Sequence, residues 1–436
     1  MHINLLFACR FLSLLGLLTA IPFAGAAESS LPRVALPKSA FGPSDIAVIV
    51  NDLDPLSVKI ANYYQEKRSI PTKNMVHVKF KSGRKVMAPE VFRTLRQHVT
   101  AKTTSHVQAF VLTWTSPFRV GCMSITTAFA AGFDPAFCAK GCKLTRVSPY
   151  FNSNSRAPST DFDWRPTVAL AGDNFEQVKA LIDRGIAADR TAPTGTGYLL
   201  STSDQARNVR SAFYPDVIKG LGEHVKLELV QGDQLRDKAD VLFYFTGLRK
   251  VSGIDSNRFL PGAIADHLTS TGGVLIGSRQ MSSLRWLEAG ATGSYGTVVE
   301  PCAFPQKFPH PGIVIRRYLS GESLIEAYWK SVAMPGQGIF IGEPLANPYG
   351  GYSVSVEKDT TLVIRTRTLR ANQRYGLLAA DSSIGPYQRV KMEVDLNKGV
   401  QTIRVPSPIQ KYYRLISLKK PPMTSIPQEL YLETDK

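Results

Sequence analysis

Long apolar runs are missing from this sequence of 436 residues once its first 26 residues are set aside. A membrane-spanning helix needs about 20 consecutive apolar residues, and no later stretch reaches about 18. Residues 1–26 carry one basic residue, Arg10, then the apolar run FLSLLGLLTAIPFA and the small residues Ala24, Gly25 and Ala26. This order is typical of a cleaved secretory signal, with an uncleaved anchor as the alternative. We therefore expect an exported protein, periplasmic or secreted, with no transmembrane span after signal cleavage.

Acidic residues are also in short supply, with 35 Asp and Glu against 52 Lys and Arg and a net charge of +17. Cleavage of the signal removes one charged residue, Arg10, and leaves +16. Between Gly350 and Lys420, 13 basic residues stand against 5 acidic ones, so about half of the excess lies there. Such a surface attracts anionic envelope material, although a basic surface that serves solubility has the same composition. Because the protein is exported, we predict no nucleic-acid partner.

Cysteine is scarce, with five residues in the chain, and Cys9 lies inside the signal segment. Cys122, Cys138 and Cys142 fall within 21 residues and are the candidates for one local disulfide in an oxidising compartment. Cys302 stands alone far downstream. It either bonds to the remaining member of that group or is a free thiol.

Two further patterns are absent, and their absence bears on cofactors. No cluster of Cys, His, Asp or Glu has the spacing of metal ligands, so we predict no metal. Residues 290–296 (GATGSYG) precede a predicted strand rather than opening a helix, which excludes a phosphate or dinucleotide loop. We therefore predict no cofactor, and we assign these glycines to a tight turn and close backbone packing.

Short apolar segments alternate with helical periodicity from residue 45 to residue 349. The predicted strands are 45–50, 75–80, 108–114, 167–171, 196–201, 225–230, 241–245, 273–277, 293–299 and 337–341. The predicted helices are 57–67, capped by Asp54, together with 88–100, 174–188, 204–221, 281–289 and 321–333, in which Trp329 covers the sheet. This alternation is typical of an α/β protein with a mainly parallel, helix-covered sheet.

The pattern also divides the chain into segments. After the signal we predict an N-terminal α/β subdomain over 28–160, which contains the cysteine loop, and a main α/β subdomain over 161–349. Residues 350–420 show short alternating strands at roughly ten-residue spacing, as in a small β-sandwich, and 421–436 form a flexible tail. Ligands of a parallel sheet lie at the carboxyl ends of its strands. We therefore place a site after Phe245, Gly277 and Val299, within the stretch 277–311.

Several stretches resemble known families. Tyr244-Phe245-Thr246-Gly247, at a predicted strand end, is similar to a Tyr-Thr-Gly-His-Gly motif of gingipain-type cysteine peptidases, and Gly342-Glu343-Pro344-Leu345 resembles their turn before the sandwich. Residues 55–71, 261–273, 280–302 and 307–309 resemble more closely a family of exported bacterial proteins found in genomes with PEP-CTERM sorting systems. The resemblance implies a caspase-like fold of two α/β subdomains followed by an immunoglobulin-like β-sandwich.

The peptidase resemblance also implies where a Cys/His dyad would stand. Its histidine would follow Gly247, where this chain has Leu248 and Arg249. Its cysteine would follow the next strand, which we predict at 273–277 and which leads into Ser278, Arg279 and Gln280. A cysteine peptidase needs a thiolate within reach of an imidazole. Both residues are missing from these places, so we do not carry the dyad over.

A relocated catalytic site remains open. Cys302 follows one predicted strand, and His267, which we place in a loop-to-helix stretch between two core strands, is its candidate base. Glu300 or Asp266 would orient the imidazole, and the backbone of 290–296 would supply donors for an oxyanion. Ser278 is the alternative nucleophile and His310 the alternative base. Cys302 is otherwise a disulfide cysteine, His267 a residue that bridges backbone groups, and His310 an exposed loop residue.

Two hypotheses follow. In the first, the protein is a non-catalytic envelope or secreted module on a peptidase-like scaffold that binds a peptide, a protein or a glycan in its cleft. Its candidate binding residues are Thr246, Gly247, Arg279, Gln280, Tyr295 and Glu300. In the second, it is a divergent peptidase or acyl hydrolase that uses Cys302 or Ser278. The missing dyad favours the first, because fold alone does not determine function.

Overall fold

The structure, a computed structural model, describes residues 31–418 except residues 140, 359, 371–372 and 396–398. The predicted signal segment 1–26 and the predicted tail 421–436 lie outside the described residues. Among the helices that are described, none combines the length and the apolar character needed to cross a membrane.

The strands of the described residues are β1 (Arg33–Ala35), β2 (Ile46–Asn51), β3 (Met75–Val78), β4 (Val86–Met87), β5 (Ala109–Leu112), β6 (Arg119–Val120), β7 (Met123–Ser124), β8 (Thr167–Ala169), β9 (Thr196–Ser201), β10 (Lys226–Gln231), β11 (Val241–Thr246), β12 (Phe259–His267), β13 (Gly293–Thr297), β14 (Gly338–Gly342), β15 (Tyr352–Glu357), β16 (Thr361–Thr366), β17 (Arg374–Ala380), β18 (Gln388–Val390), β19 (Glu393–Asp395), β20 (Gln401–Pro406) and β21 (Tyr412–Leu418). The α-helices are α1 (Pro55–Arg68), α2 (Pro89–Lys102), α3 (Ile125–Ala131), α4 (Pro158–Phe162), α5 (Phe175–Ala188), α6 (Tyr214–Leu221), α7 (Leu284–Glu288), α8 (Pro311–Leu319) and α9 (Leu324–Ser331).

A ten-stranded sheet in the order β10-β9-β11-β12-β13-β14-β8-β5-β2-β3 forms the centre of the α/β part. All neighbouring strands are parallel except β13 and β14, which pair antiparallel from Gly293 opposite Gly342 to Thr297 opposite Gly338. The sheet therefore consists of two parallel halves that run in opposite directions. The prediction of an α/β fold with a mainly parallel, helix-covered sheet is confirmed, although the two predicted subdomains share one continuous sheet.

Continuous apolar strands and capped helices explain these elements. Strands β2 (IAVIVN) and β11 (VLFYFT) are buried at every position, as expected for strands covered on both faces. Helix α1 begins with Pro55, and the Asp54 carboxylate accepts a hydrogen bond from the Leu56 N–H at 3.0 Å, as the sequence predicts. Trp329 is fully buried and stacks on Phe340 of β14 with 4.1 Å between the ring centroids. Its predicted role in covering the sheet is confirmed.

Other predicted elements are wrong. Residues 273–277 form no strand, and the strand that follows β11 is β12, which ends at His267. The sequence predicted a loop here because it contains Pro261 and Gly262, and both residue types are uncommon inside strands. The helix predicted at 204–221 is a 3₁₀ turn over Asn208–Phe213 followed by α6, and helix α8 was not predicted at all. The predicted helices 281–289 and 321–333 shorten to α7 and α9.

The predicted β-sandwich is confirmed and gains a strand. One sheet has the order β15-β16-β20-β19 and the other β1-β21-β17-β18. Leu362, Ile364, Leu377, Ile403 and Leu415 pack between them. Strand β1 comes from the N-terminal arm and pairs in parallel with β21, with Arg33 opposite Tyr412. The arm therefore completes a sheet whose other strands lie more than 300 residues later in the chain.

Candidate active site and strand-end groove

The carboxyl ends of β11, β12 and β13 lie at one edge of the sheet, because these strands are parallel neighbours. Thr246 and His267 are the last residues of the first two strands and stand opposite each other in the register. The loops that follow contain most of the residues that the sequence singled out. This edge is therefore where the candidate catalytic groups can be compared.

A buried ion pair fastens the strand ends together. Arg210 donates to the Asp266 carboxylate at 2.5 Å, to the Thr246 carbonyl at 2.9 Å and to the Pro309 carbonyl at 3.3 Å. Both charged side chains are almost completely buried. Burial lowers the pKa of Arg210, but the adjacent Asp266 carboxylate more than offsets this effect, and the guanidinium stays protonated. The Asp266 carboxylate is therefore paired with Arg210 and does not orient the His267 imidazole.

His267 is a fully buried, neutral histidine whose two ring nitrogens are both occupied. Its Nδ1 accepts a hydrogen bond from the Trp286 indole N–H at 2.9 Å. The proton is therefore on Nε2, which donates to the Met281 carbonyl at 3.2 Å. Burial lowers the pKa of His267 to about 3. His267 is the last residue of β12, not part of a loop-to-helix stretch, and a group with this pKa and no free nitrogen is poorly suited to act as a general base.

The four cysteines of the described chain form two disulfides. Cys122 bonds to Cys138, which provides the one local bridge expected within the group Cys122, Cys138 and Cys142, and Cys142 bonds to Cys302 across 160 residues. The Cα atoms of Cys142 and Cys302 are 5.4 Å apart. A sulfur in a disulfide has no thiolate. Cys302 and His267 therefore do not form a pair of nucleophile and base in this structure. Cys302 is instead a disulfide cysteine, which is the other role that the sequence allows.

A buried lysine supports the Cys142–Cys302 bridge. Lys307 is fully buried, and its ammonium group donates to the Pro301 carbonyl at 2.9 Å and to the Lys143 carbonyl at 2.7 Å. Both carbonyls belong to residues next to the bridged cysteines. Burial lowers the pKa of Lys307. The lysine and the disulfide thus join the same two loops, so the surroundings of Cys302 are those of a structural crosslink.

The remaining catalytic candidates also have structural partners. The Ser278 hydroxyl donates to the Thr271 carbonyl at 3.2 Å and accepts from the Gln280 N–H at 3.1 Å. His310 is half-buried rather than exposed, and it stacks on Phe213 with 4.5 Å between the ring centroids. Neither is hydrogen-bonded to a partner that would make it a nucleophile or a base.

The proposed oxyanion donors of residues 290–296 are occupied. The N–H groups of Gly290, Ala291 and Thr292 donate to the carbonyls of Leu287, Trp286 and Ala263, respectively. Residues 293–296 belong to β13 and lie in the ladder with β14. The stretch serves the turn and the strand, and its use as an oxyanion hole is a prediction that this structure contradicts.

A groove of about 810 Å³ opens beside this edge. We call it the strand-end groove; it is lined by residues 249–255 and 279–281 and by Arg285. Arg285 is neutralised by Asp255 at 3.0 Å and by Glu288. Arg249, Lys250 and Arg279 are exposed, and none of the three has a side-chain partner within the described part of the chain. The groove therefore carries unneutralised positive charge.

Hydrogen bonds hold the walls of the strand-end groove in place. The Met281 N–H donates to the Arg249 carbonyl at 3.1 Å, which joins the two lining loops. The Gln280 side chain accepts from the Thr269 hydroxyl and from the Thr271 N–H, both at 2.8 Å. Gly247 lets the chain leave β11 beneath the Arg207 carbonyl, because a Cβ there would lie 1.9 Å from that oxygen. The loops are therefore pre-organised around the cations.

The six candidate binding residues separate into different groups. Arg279 and Gln280 line the groove, and Gly247 precedes its first wall. Thr246 and Tyr295 are fully buried, and the Tyr295 hydroxyl donates to the Lys307 carbonyl at 2.5 Å, so neither side chain can meet a ligand in this conformation. Glu300 accepts from the Cys302 N–H at 2.8 Å.

Sequence reasoning did not single out Arg249 and Lys250, which line the groove. Their signal was present in the sequence, because the basic pair lies in the loop that follows a buried strand.

Comparison with models of protein families and with curated proteins finds no match in either case. Among solved structures, two proteins align with most of the chain. One is described as a protease, with a TM-score of 0.38, 9% identity and coverage of 86% of this chain and 97% of that one. The other is the Arg-specific cysteine proteinase gingipain R, with a TM-score of 0.37, 11% identity and coverage of 86% and 95%. At these values the likeness assigns neither a residue nor an activity to this chain.

Proposed function

We propose that the protein is an exported, non-catalytic binding protein that holds an acidic peptide segment in the strand-end groove. The observation that carries this proposal is the set of three exposed cations, Arg249, Lys250 and Arg279, around one groove without acidic partners among the described residues. Guanidinium groups bind carboxylates through paired N–H donors, and a lysine adds a point charge. An acidic segment therefore fits the rim of this groove.

The floor of the groove favours a peptide over an anionic glycan. Val251 and Ile254 are buried apolar residues that line it, and the half-buried Met281 joins them. A polymer of acidic sugars offers little apolar surface for such a floor. A peptide that alternates acidic and apolar side chains meets both the cationic rim and the floor, where Met281 offers most of the apolar surface because Val251 and Ile254 are only 5% and 4% exposed.

The geometry of the catalytic candidates supports the non-catalytic part of the proposal. Cys302 is bonded to Cys142, and His267 is occupied by Trp286 and Met281. Ser278 is hydrogen-bonded to backbone groups of its own loop. A nucleophile requires a base within hydrogen-bond reach. No two of these three residues form such a pair of nucleophile and base.

Equilibrium binding of a fluorescent peptide tests the proposal. The probe is an alternating Glu/Leu peptide, and a Lys/Leu peptide of the same length is its charge-reversed control. We expect the acidic peptide to bind and the triple variant R249Q/K250Q/R279Q to weaken binding roughly 10–100-fold, because exposed charge pairs contribute up to about 1 kcal/mol each. The matched control R389Q/K391Q/K411Q removes three exposed charges from the sandwich and is expected to leave the affinity unchanged.

Other outcomes would replace the proposal. Equal binding by both triple variants would place the ligand outside the groove. Binding of polygalacturonate but not of the peptide would favour a glycan ligand. Mass spectrometry of the recovered acidic peptide would reveal cleavage, and cleavage that disappears in Cys302→Ser or Ser278→Ala would favour the hydrolase.

A further inference from the structure

A second cavity, of about 390 Å³, lies between α6, α8 and the β-sandwich. We call it the sandwich-side cavity. Its polar lining consists of Asp216, His224, His310, Arg316, Ser320, Arg367 and Gln401. The elements that contribute these residues are separate from the loops of the strand-end groove, so the cavity is a distinct feature.

The basic groups of the sandwich-side cavity have no acidic partner among the described residues. No ion pair of that part of the chain includes His224, His310 or Arg316, and the Nδ1 atoms of both histidines are buried without a hydrogen-bond partner there. Arg367 lies over the ring of Tyr349, 5.5 Å from its centroid, and has no acidic partner among the described residues. Asp216 is the one acid in the lining. Two guanidinium groups and two imidazoles thus line one cavity with a single carboxylate.

The backbone at Gly399 passes close to two of these groups. A Cβ placed on Gly399 would lie 2.8 Å from Nδ1 of His224 and 3.2 Å from Nη1 of Arg367. Those two nitrogens, from the helical layer and from the sandwich, therefore point toward the same small volume. Any side chain at position 399 would enter it, and Gly399 also has a φ of +88°, which favours glycine.

We infer that the sandwich-side cavity binds a phosphate monoester. Arginine forks suit the oxygens of a phosphate, and imidazole N–H groups add donors to the same anion. Leu221, Ile313, Leu319 and Leu369 line the rest of the cavity and provide an apolar wall for the organic part of the ligand. The phosphate would join the sandwich, through Arg367, to the helical layer, through Arg316 and His310. This site goes beyond the proposed peptide groove and does not depend on it.

Thermal unfolding and calorimetric titration with glycerol 3-phosphate test the inference. Ligand that binds only the folded protein raises its melting temperature with concentration. We expect such a rise for the full exported chain, and at least a tenfold weaker affinity in Arg316→Gln, whose side chain has no acidic partner to lose among the described residues. Arg367→Gln should act in the same direction. The control Arg389→Gln removes an exposed charge of β18 outside the cavity and should bind normally.

A second arm distinguishes a free ligand from a lipid. Vesicles of phosphatidylcholine with phosphatidic acid carry the same phosphate monoester. Binding to these vesicles that is lost in Arg316→Gln would support the cavity and identify a lipid source. The inference is overturned if neither glycerol 3-phosphate nor these vesicles bind, or if Arg316→Gln binds as the wild type does. Loss of phosphate binding in Arg279→Gln, with binding retained in Arg316→Gln, would also overturn it, because the ligand would then occupy the strand-end groove.

Discussion

At the scale of single residues, His267 shows how a candidate catalytic group becomes a structural one. Its imidazole lies between the Trp286 indole and the Met281 carbonyl, directly behind the strand-end groove. Met281 in turn lines that groove and is bonded to the Arg249 backbone. The histidine therefore positions a groove wall, and it does so only while its ring is neutral, because a second ring proton would displace the Trp286 donor.

This arrangement predicts a pH dependence of stability. The folded-state pKa of His267 is lowered by burial to about 3 from an ordinary value of 6.5. Between these two values the unfolded chain binds a proton that the folded chain does not, so the free energy of unfolding falls as the pH falls. The contribution of His267 is complete above about pH 6.5 and is lost at up to about 1.4 kcal/mol per pH unit below it.

Urea denaturation of wild type and His267→Gln across pH 3.5–7 measures this contribution. We expect the variant to be less stable at pH 7 but to lose stability less steeply as the pH falls. The slope of its unfolding free energy against pH should be smaller than that of the wild type by up to the equivalent of one bound proton. His106→Gln, which changes an exposed histidine, should keep the slope of the wild type. Equal slopes for wild type and His267→Gln would show that His267 is not held neutral by the fold.

At the scale of elements, the loop around Cys302 is held by a covalent bond and a buried lysine. The Cys142–Cys302 disulfide spans 160 residues, whereas Cys122–Cys138 spans 16. A crosslink restricts the unfolded chain more when it closes a longer loop. The longer bridge also joins the cysteine loop to the segment after β13, which lies at the edge of the sheet that carries the groove.

The two disulfides should therefore contribute unequally to stability. Replacing Cys142 and Cys302 with alanine should lower the free energy of unfolding by about 4–5 kcal/mol, and replacing Cys122 and Cys138 by about 3 kcal/mol. Chemical denaturation of the oxidised proteins measures both values. Mass spectrometry without reduction should find no alkylation of Cys122, Cys138, Cys142 or Cys302 in the wild type. An alkylated Cys302, or a larger loss from the shorter bridge, would contradict the crosslink described above.

The elements also show which parts of the fold the sequence could predict. Strands β2 and β11 are nearly continuous apolar runs, and helices α1 and α5 begin after the capping side chains of Asp54 and Asn174, so the sequence located all four closely. Strand β12 contains Pro261-Gly262, and helix α8 begins with Pro311-Gly312. Proline and glycine are typical of loops, so the sequence predicted loops at both places, whereas tertiary packing stabilises a strand and a helix. The partner of Cys302 was left open, because cysteine spacing does not define connectivity. The predicted site was affected as well. A strand was predicted at 273–277, and Ser278 became the alternative nucleophile because it directly follows that predicted strand.

At the scale of the whole molecule, the ten-stranded sheet determines where a ligand can meet the loops. Its halves run in opposite directions, so their carboxyl ends lie at opposite edges. The strand-end groove belongs to the edge of the β9–β13 half. The chain also carries a net charge of +17, and residues 350–420 hold 13 basic residues against 5 acidic ones. Charge alone therefore does not decide between the groove and the sandwich, but the location of a bound ligand does.

Hydrogen–deuterium exchange with and without the acidic Glu/Leu peptide is the most direct test of the groove. The account predicts slower exchange in the peptide complex at residues 247–256 and 278–285, whose loops form the groove walls. It also predicts that this protection is absent in R249Q/K250Q/R279Q at the same peptide concentration. Protection confined to the sandwich strands between residues 352 and 418, or equal protection in the triple variant, would contradict the central claim.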